Sequence, residues 1–124
     1  RNTALTSVTI PDTVTSIGNF AFSYCTSLTS LTIGSGVTSI SVAAFRNTAL
    51  TSVTIPSTVT SIGNGAFKEC TSLATAYINL DAGSVGTNAF NGPTGLLYVT
   101  ATHIASYGGA DNTFHTMTVK LWTP

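Results

Sequence analysis

Two histidines, His103 and His115, lie near Ser106 and Asp111 towards the end of the sequence. An imidazole held between a carboxylate and a hydroxyl is the arrangement that activates a serine for acyl transfer. The surrounding sequence does not support that chemistry. No G-x-S-x-G elbow encloses Ser106, and among 14 serines a hydroxyl close to an imidazole carries little information. Cys25 and Cys70 lack the C-x-x-C spacing of a metal site and the basic cluster that would make a reactive thiolate. Asp81 and Asp111 are too isolated to hold calcium. Gly34-Ser35-Gly36 precedes neither a lysine nor a helix start, so it is a turn and not a phosphate cradle. The sequence therefore predicts no catalytic residue, no metal site and no cofactor.

The polar chemistry that remains is hydroxyl chemistry, because the chain carries 24 Thr and 14 Ser. These short side chains suit the outer face of a strand, where they bond water or one another at any pH. Four basic and four acidic residues cancel, leaving no field to attract nucleic acid or anionic lipid. No apolar run approaches the roughly 18 residues that cross a bilayer, so membrane insertion is not expected.

Hydroxyls need a scaffold to align them, and internal repetition supplies it. Residues 1–28, RNTALTSVTIPDTVTSIGNFAFSYCTSL, return at 46–73 with changes only at Asp12/Ser57, Phe20/Gly65, Ser23/Lys68 and Tyr24/Glu69. The segment between keeps the same apolar positions, which sets the period at 22 to 23 residues, and residues 73–95 make a degenerate fourth rung. The columns are Leu5/Leu28/Leu50/Leu73, Val8/Leu31/Val53/Ala76, Ile10/Ile33/Ile55/Ile78, Val14/Val37/Val59/Ala82, Ile17/Ile40/Ile62/Val85 and a recurring Ala-Phe pair. Val8 and Ile10 are two apart, as in a strand, which turns Ser7 and Thr9 outward. V-T-S-I reads as a second short strand, and the Gly-Asn after it as a turn capping one helical turn under the Ala-Phe pair. One rung has two open faces and cannot offset its own ordering entropy, so the rungs must stack.

The pattern L-TSVTIP-TVTSIG--AF--CTSL resembles the BspA-like leucine-rich repeat over residues 1–95. The resemblance implies a right-handed solenoid with a parallel, concave sheet and short helical turns. It also implies an extracellular or cell-surface setting and a role in adhesion or ligand binding. It brings no catalytic residues to carry over.

Residues 96–124 depart from the repeat and are expected to cap it. There Leu97, Tyr98 and Val99 start a strand, and Thr102 caps a short helix carrying Ile104, Ala105 and Tyr107 and ended by Gly108-Gly109. Met117, Val119 and Leu121 then form the inner side of a last strand. At the other end Arg1–Leu5 matches Arg46–Leu50, so the chain is expected to begin inside a rung whose open face frays or self-associates. Phe20 and Tyr24 occupy columns outside the core, where they form a convex patch or pack on an earlier rung. Cys25 and Cys70 share a column two rungs apart, about 10 Å, beyond the reach of a disulfide; both are expected to be free and buried.

Two outward rows follow from a regular count, Ser7/Ser30/Ser52/Thr75/Tyr98 and Thr9/Thr32/Thr54/Tyr77/Thr100. Tyr77 and Tyr98 are thus expected to be diagonal neighbours, rimmed by the hydroxyls of Thr54, Thr75 and Thr100, with Thr9 and Thr32 further along the face. An aromatic centre with a polar rim separates a binding patch from plain surface. The expected partner is a protein or a glycan. The competing reading is a passive spacer whose hydroxyl rows only solvate and stabilise the strands.

Overall fold

The computed structural model describes residues 4–123. Arg1–Thr3, which hold part of the expected N-terminal match, lie outside the described residues.

The chain is a β-solenoid of stacked coils, mostly parallel strand with almost no helix. The front side carries β1 (Ser7–Ile10), β3 (Ser30–Ile33), β5 (Ser52–Thr54), β7 (Thr75–Ile78), β8 (Leu96–Thr100) and β10 (Met117–Trp122), with the short β9 (Thr113–Phe114) antiparallel to β10 at the end. The second side is a three-stranded sheet of β2 (Ser16–Ile17), β4 (Ser39–Ile40) and β6 (Ser61–Ile62), extended by a bridge from Ile62 to Val85. Alternation decides which side chains go in: Ile10, Ile33, Val53 and Ile78 are buried while Thr9, Thr32, Ser52 and Thr54 are exposed.

The third side corrects the sequence reading, since the Ala-Phe pair sits on no helical turn. Tight turns close it, such as Ser23 N–H to the Phe20 carbonyl at 3.1 Å. Two left-handed residues recur in each coil, in the columns Phe20/Ala43/Gly65/Asn88 and Tyr24/Asn47/Glu69/Gly92. Amides in and between these positions point along the solenoid axis: Phe20, Phe22 and Tyr24 donate to the carbonyls of Val42, Ala44 and Arg46 at 2.7 to 2.9 Å. A helical turn would have spent those amides inside its own coil. The departure from helix thus gives the coils a third interlocking ladder.

Inside, Phe22, Phe45, Phe67 and Phe90 stack with nearly parallel rings 5.3 to 5.4 Å apart. Cys25 and Cys70 are free and buried as expected. The Cys70 thiol is pushed up by burial, against bonds from Thr48 and its neighbours that favour the thiolate. Gly36 and Gly95 allow the closest approaches between coils, because a Cβ there would lie 1.9 Å from the Asp12 and 2.2 Å from the Ala74 carbonyl oxygen.

At the far end a 3-10 turn, Ile104–Tyr107, packs against β10 and the 3-10 turn Ala82–Ser84. His103 and not Thr102 holds its N-cap position, with no side-chain capping bond, and Gly108 ends it in the left-handed region. The Tyr107 hydroxyl donates to the Leu80 carbonyl at 2.8 Å. Met117 and Val119 are buried, but Leu121 is exposed, contrary to expectation.

Candidate functional site on the front sheet

The register of the front strands places Tyr98 differently from the count. Thr54 pairs with Tyr77 and Tyr77 with Tyr98, while Thr75 pairs with Leu96. Counting a regular period from Thr75 reaches Tyr98, but the coil from β7 to β8 is two residues shorter. The two residues are missing at the corner after the left-handed Gly92, which reaches Leu96 in four residues where Glu69 reaches Thr75 in six, and Gly95 lets the coils close up there. The tyrosines are therefore direct and not diagonal neighbours. Their rings stack at 4.9 Å and 14°.

The structure adds Trp122, whose ring meets that of Tyr77 at 5.3 Å and 60°. The signal was available: the alternation that turns Thr118 and Lys120 outward on the last strand turns Trp122 outward as well. Trp122 pairs with Thr100, and the Thr100 hydroxyl donates to Asn79 Oδ1 at 2.9 Å. Lys120 pairs with Tyr98 and binds Asp111 at 2.5 Å. That carboxylate, and to a smaller degree the Tyr98 ring, raise the Lys120 ammonium above its ordinary range.

The row Thr54–Tyr77–Tyr98–Lys120 thus crosses four adjacent strands, with Thr75 and Thr100 beside it. Thr9 pairs with Thr32, but these two lie across a break between β3 and β5 and do not join the aromatic cluster. Rings that stack on one another along the axis turn their edges, not their faces, to a partner. The surface is an aromatic ridge flanked by hydroxyls and one ion pair.

The residues that could do acyl chemistry are engaged elsewhere. His103 Nδ1 lies 2.6 Å from Asp81, not Asp111. The Ser106 hydroxyl donates to the backbone carbonyl of His103 at 2.7 Å and accepts the Ala82 amide at 2.9 Å. His115 Nδ1 accepts the Phe90 amide at 3.1 Å, and burial holds this imidazole below its ordinary value. Tyr24, expected in a convex patch or against an earlier coil, has Arg46 of the next coil over its ring at 5.8 Å. Phe20 is 56% exposed.

Residues 1–115 match the BspA type leucine-rich repeat region, in six copies. The chain belongs to this family. Leucine-rich repeat proteins are generally non-enzymatic, and the repeat fold supports a protein-interaction module. Among solved structures, the chain is similar to a leucine-rich cell surface protein of Faecalibacterium prausnitzii, at 29% identity and a TM-score of 0.61 over 81% of this chain and 37% of that one. It is similar to a leucine-rich repeat protein of T. pallidum at 26% and 0.72, over 83% and 48%. A leucine-rich repeat protein of Bacteroides ovatus gives 28% and 0.53, over 79% and 32%. The chain spans 32% to 48% of the length of these proteins. No curated protein sequence matches it significantly. Among the described residues no helix is long and apolar enough to cross a membrane.

Proposed function

We propose that the chain is an extracellular, non-catalytic binding module whose front β-face contacts a protein or glycan ligand through Tyr77, Tyr98 and Trp122. The observation that carries this reading is the aromatic ridge on a face otherwise made of Ser and Thr. Aromatic side chains give large contact area at low entropic cost and dominate binding energies where they cluster. Thr54, Thr75 and Thr100 supply the polar rim, and Thr9 and Thr32 extend the face. A cell-surface setting is supported by the description of the F. prausnitzii relative.

A structural reading competes, because stacked rings beside the small core residues Ala76 and Ala82 also cover a thin junction. Replacing Tyr77 and Tyr98 together by Thr, the residue of the row at Thr54, separates the two. Binding to a panel of matrix proteins and glycans is measured by surface plasmon resonance, with melting temperature in parallel. A binding face loses at least ten-fold in affinity with little change in melting. Retained binding with a steep fall in melting assigns the rings to the junction and favours a spacer.

A further inference from the structure

The front sheet is not continuous. β1 and β3 form one hydrogen-bonded pair and β5, β7, β8 and β10 another run, but no ladder joins β3 to β5. The second sheet runs unbroken through the same coils, β2 to β4 to β6. The cause lies at the corner before β5. Two other corners take four residues, Cys25–Leu28 and Cys70–Leu73, each closed by the leucine amide on the cysteine carbonyl at 3.0 Å. The corner between them is Thr48-Ala49-Leu50, one residue shorter. Here the Thr48 hydroxyl takes the Phe45 carbonyl at 3.1 Å instead. Leu50 keeps its place in the core, so β5 has to absorb the missing residue; the corner before β8 is shorter still, but there the exposed Thr94 stands in the leucine column and β8 keeps its ladder with β7.

Elsewhere a first bond starts the ladder at each junction: Thr29 N–H to Thr6, Ala74 N–H to Thr51, and Thr118 N–H to Gly95. Among the described residues no counterpart runs from Thr51 or Ser52 back to Thr29. A cleft of about 460 Å³ results, lined by Leu31, Thr32 and Ile33 on one side and Ser52, Val53 and Thr54 on the other. Consecutive residues of a strand direct their backbone groups to opposite edges. The Ser30 amide goes to Thr6, so the amides and carbonyls of Leu31 and Ile33 face β5. The Ile55 amide goes to Tyr77, so those of Ser52 and Thr54 face β3.

We propose that this cleft takes up an extended, uncharged peptide segment by strand addition, its backbone replacing the ladder that β3 and β5 do not make. The backbone groups identify the occupant. Two edges of alternating donors and acceptors are matched by another extended chain, whereas a saccharide or an apolar molecule leaves most of them unpaired. The lining carries no charge, which selects a neutral segment. β3 is four residues long, so the segment spans about 13 Å, roughly four residues. β3 and β5 still approach within 8 Å between Cα atoms, and uptake widens them to about 10 Å, two strand spacings. The continuous second sheet acts as the hinge. This surface is separate from the aromatic ridge, although Thr54 borders both.

The test uses acetyl-Thr-Ser-Val-Thr-Ile-amide, the strand sequence of residues 51–55, followed by amide hydrogen exchange and NMR shifts of the whole chain. Leu31, Ile33, Ser52 and Thr54 amides exchange freely without peptide and at least ten-fold more slowly at saturation. The same peptide N-methylated at alternate residues binds at least ten-fold more weakly. A serine inserted between Ala49 and Leu50 restores the four-residue corner, which protects the Ser52 and Thr54 amides without peptide and lowers its affinity at least ten-fold. The proposal is overturned if those amides are already protected in the free, unaltered chain, or if N-methylation leaves affinity unchanged. The N-methylated peptide keeps the test decisive should the insertion variant fail to fold. The double Tyr77→Thr, Tyr98→Thr variant keeps its peptide affinity, so failure of the ridge and failure of the cleft are told apart.

Discussion

His115 is the residue whose protonation the fold depends on most directly. Its Nδ1 accepts the Phe90 amide, and the Thr116 hydroxyl accepts the Gly92 amide at 2.8 Å. These two side chains end the ladder that earlier coils continue with backbone carbonyls. An acceptor nitrogen must be unprotonated, and burial lowers the imidazole from its ordinary 6.5. The unfolded chain therefore takes up a proton near 6.5 that the folded chain refuses. Stability is constant well above that value and falls as pH drops through and below it. Urea midpoints at pH 7.5 and 5.5 should show the loss. His115→Asn keeps an acceptor and tolerates the left-handed backbone (φ 54); it should remove this pH dependence. In the phenylalanine column, position along the axis sets the cost of a deletion. Phe67 is fully buried between two rings, whereas Phe22 is half-buried with one stacked neighbour. Phe67→Ala should cost about 3 to 5 kcal/mol and Phe22→Ala clearly less, read from denaturant unfolding.

At the scale of the element, the third side of each coil was the least legible part of the sequence. Its Ala-Phe pair and flanking polar residues look the same whether the backbone turns as helix or through left-handed residues. Gly65, Gly92, Asn47 and Asn88 hint at the second, but Phe20, Ala43, Tyr24 and Glu69 conceal the requirement. Front strands and core columns were legible because period-two alternation leaves one face no choice. Register failed at Tyr98 because a count assumes coils of equal length, and Trp122 was missed although the same alternation pointed to it. One consequence is testable: Phe20 is mostly exposed yet held at φ 59, a conformation that costs a side-chain-bearing residue on the order of 1 kcal/mol. Phe20→Gly should leave stability unchanged or raise it by about 0.5 to 1 kcal/mol. Ala21→Gly, at a neighbour outside the left-handed positions, should lower it by a similar amount. Equal losses at both positions would remove the left-handed column from the account.

For the whole molecule, stability is expected to follow from neighbours along one axis. Neighbouring coils bond through the turn ladder, a second-side strand or bridge and, except between β3 and β5, a front strand, and the leucines and phenylalanines pack between the coils. The near-identity of residues 1–28 and 46–73 allows this additivity to be tested without inventing a junction. A second copy of residues 29–73 inserted after Leu73 meets Thr29 through a leucine, as Leu28 does naturally, and returns to Ala74 through Leu73 itself. Both new joints have native sequence on each side, and the insert brings complete columns, including two more rings for the phenylalanine stack. The denaturant m-value should rise by about a third, in proportion to the added surface, with the unfolding midpoint equal or higher. The short corner at Thr48-Ala49-Leu50 is duplicated too, so a second cleft with exchange-labile amides should appear in the inserted coils. A lower midpoint, or a separate early transition confined to the insert, would show that stability depends on the ends more than on contacts between coils.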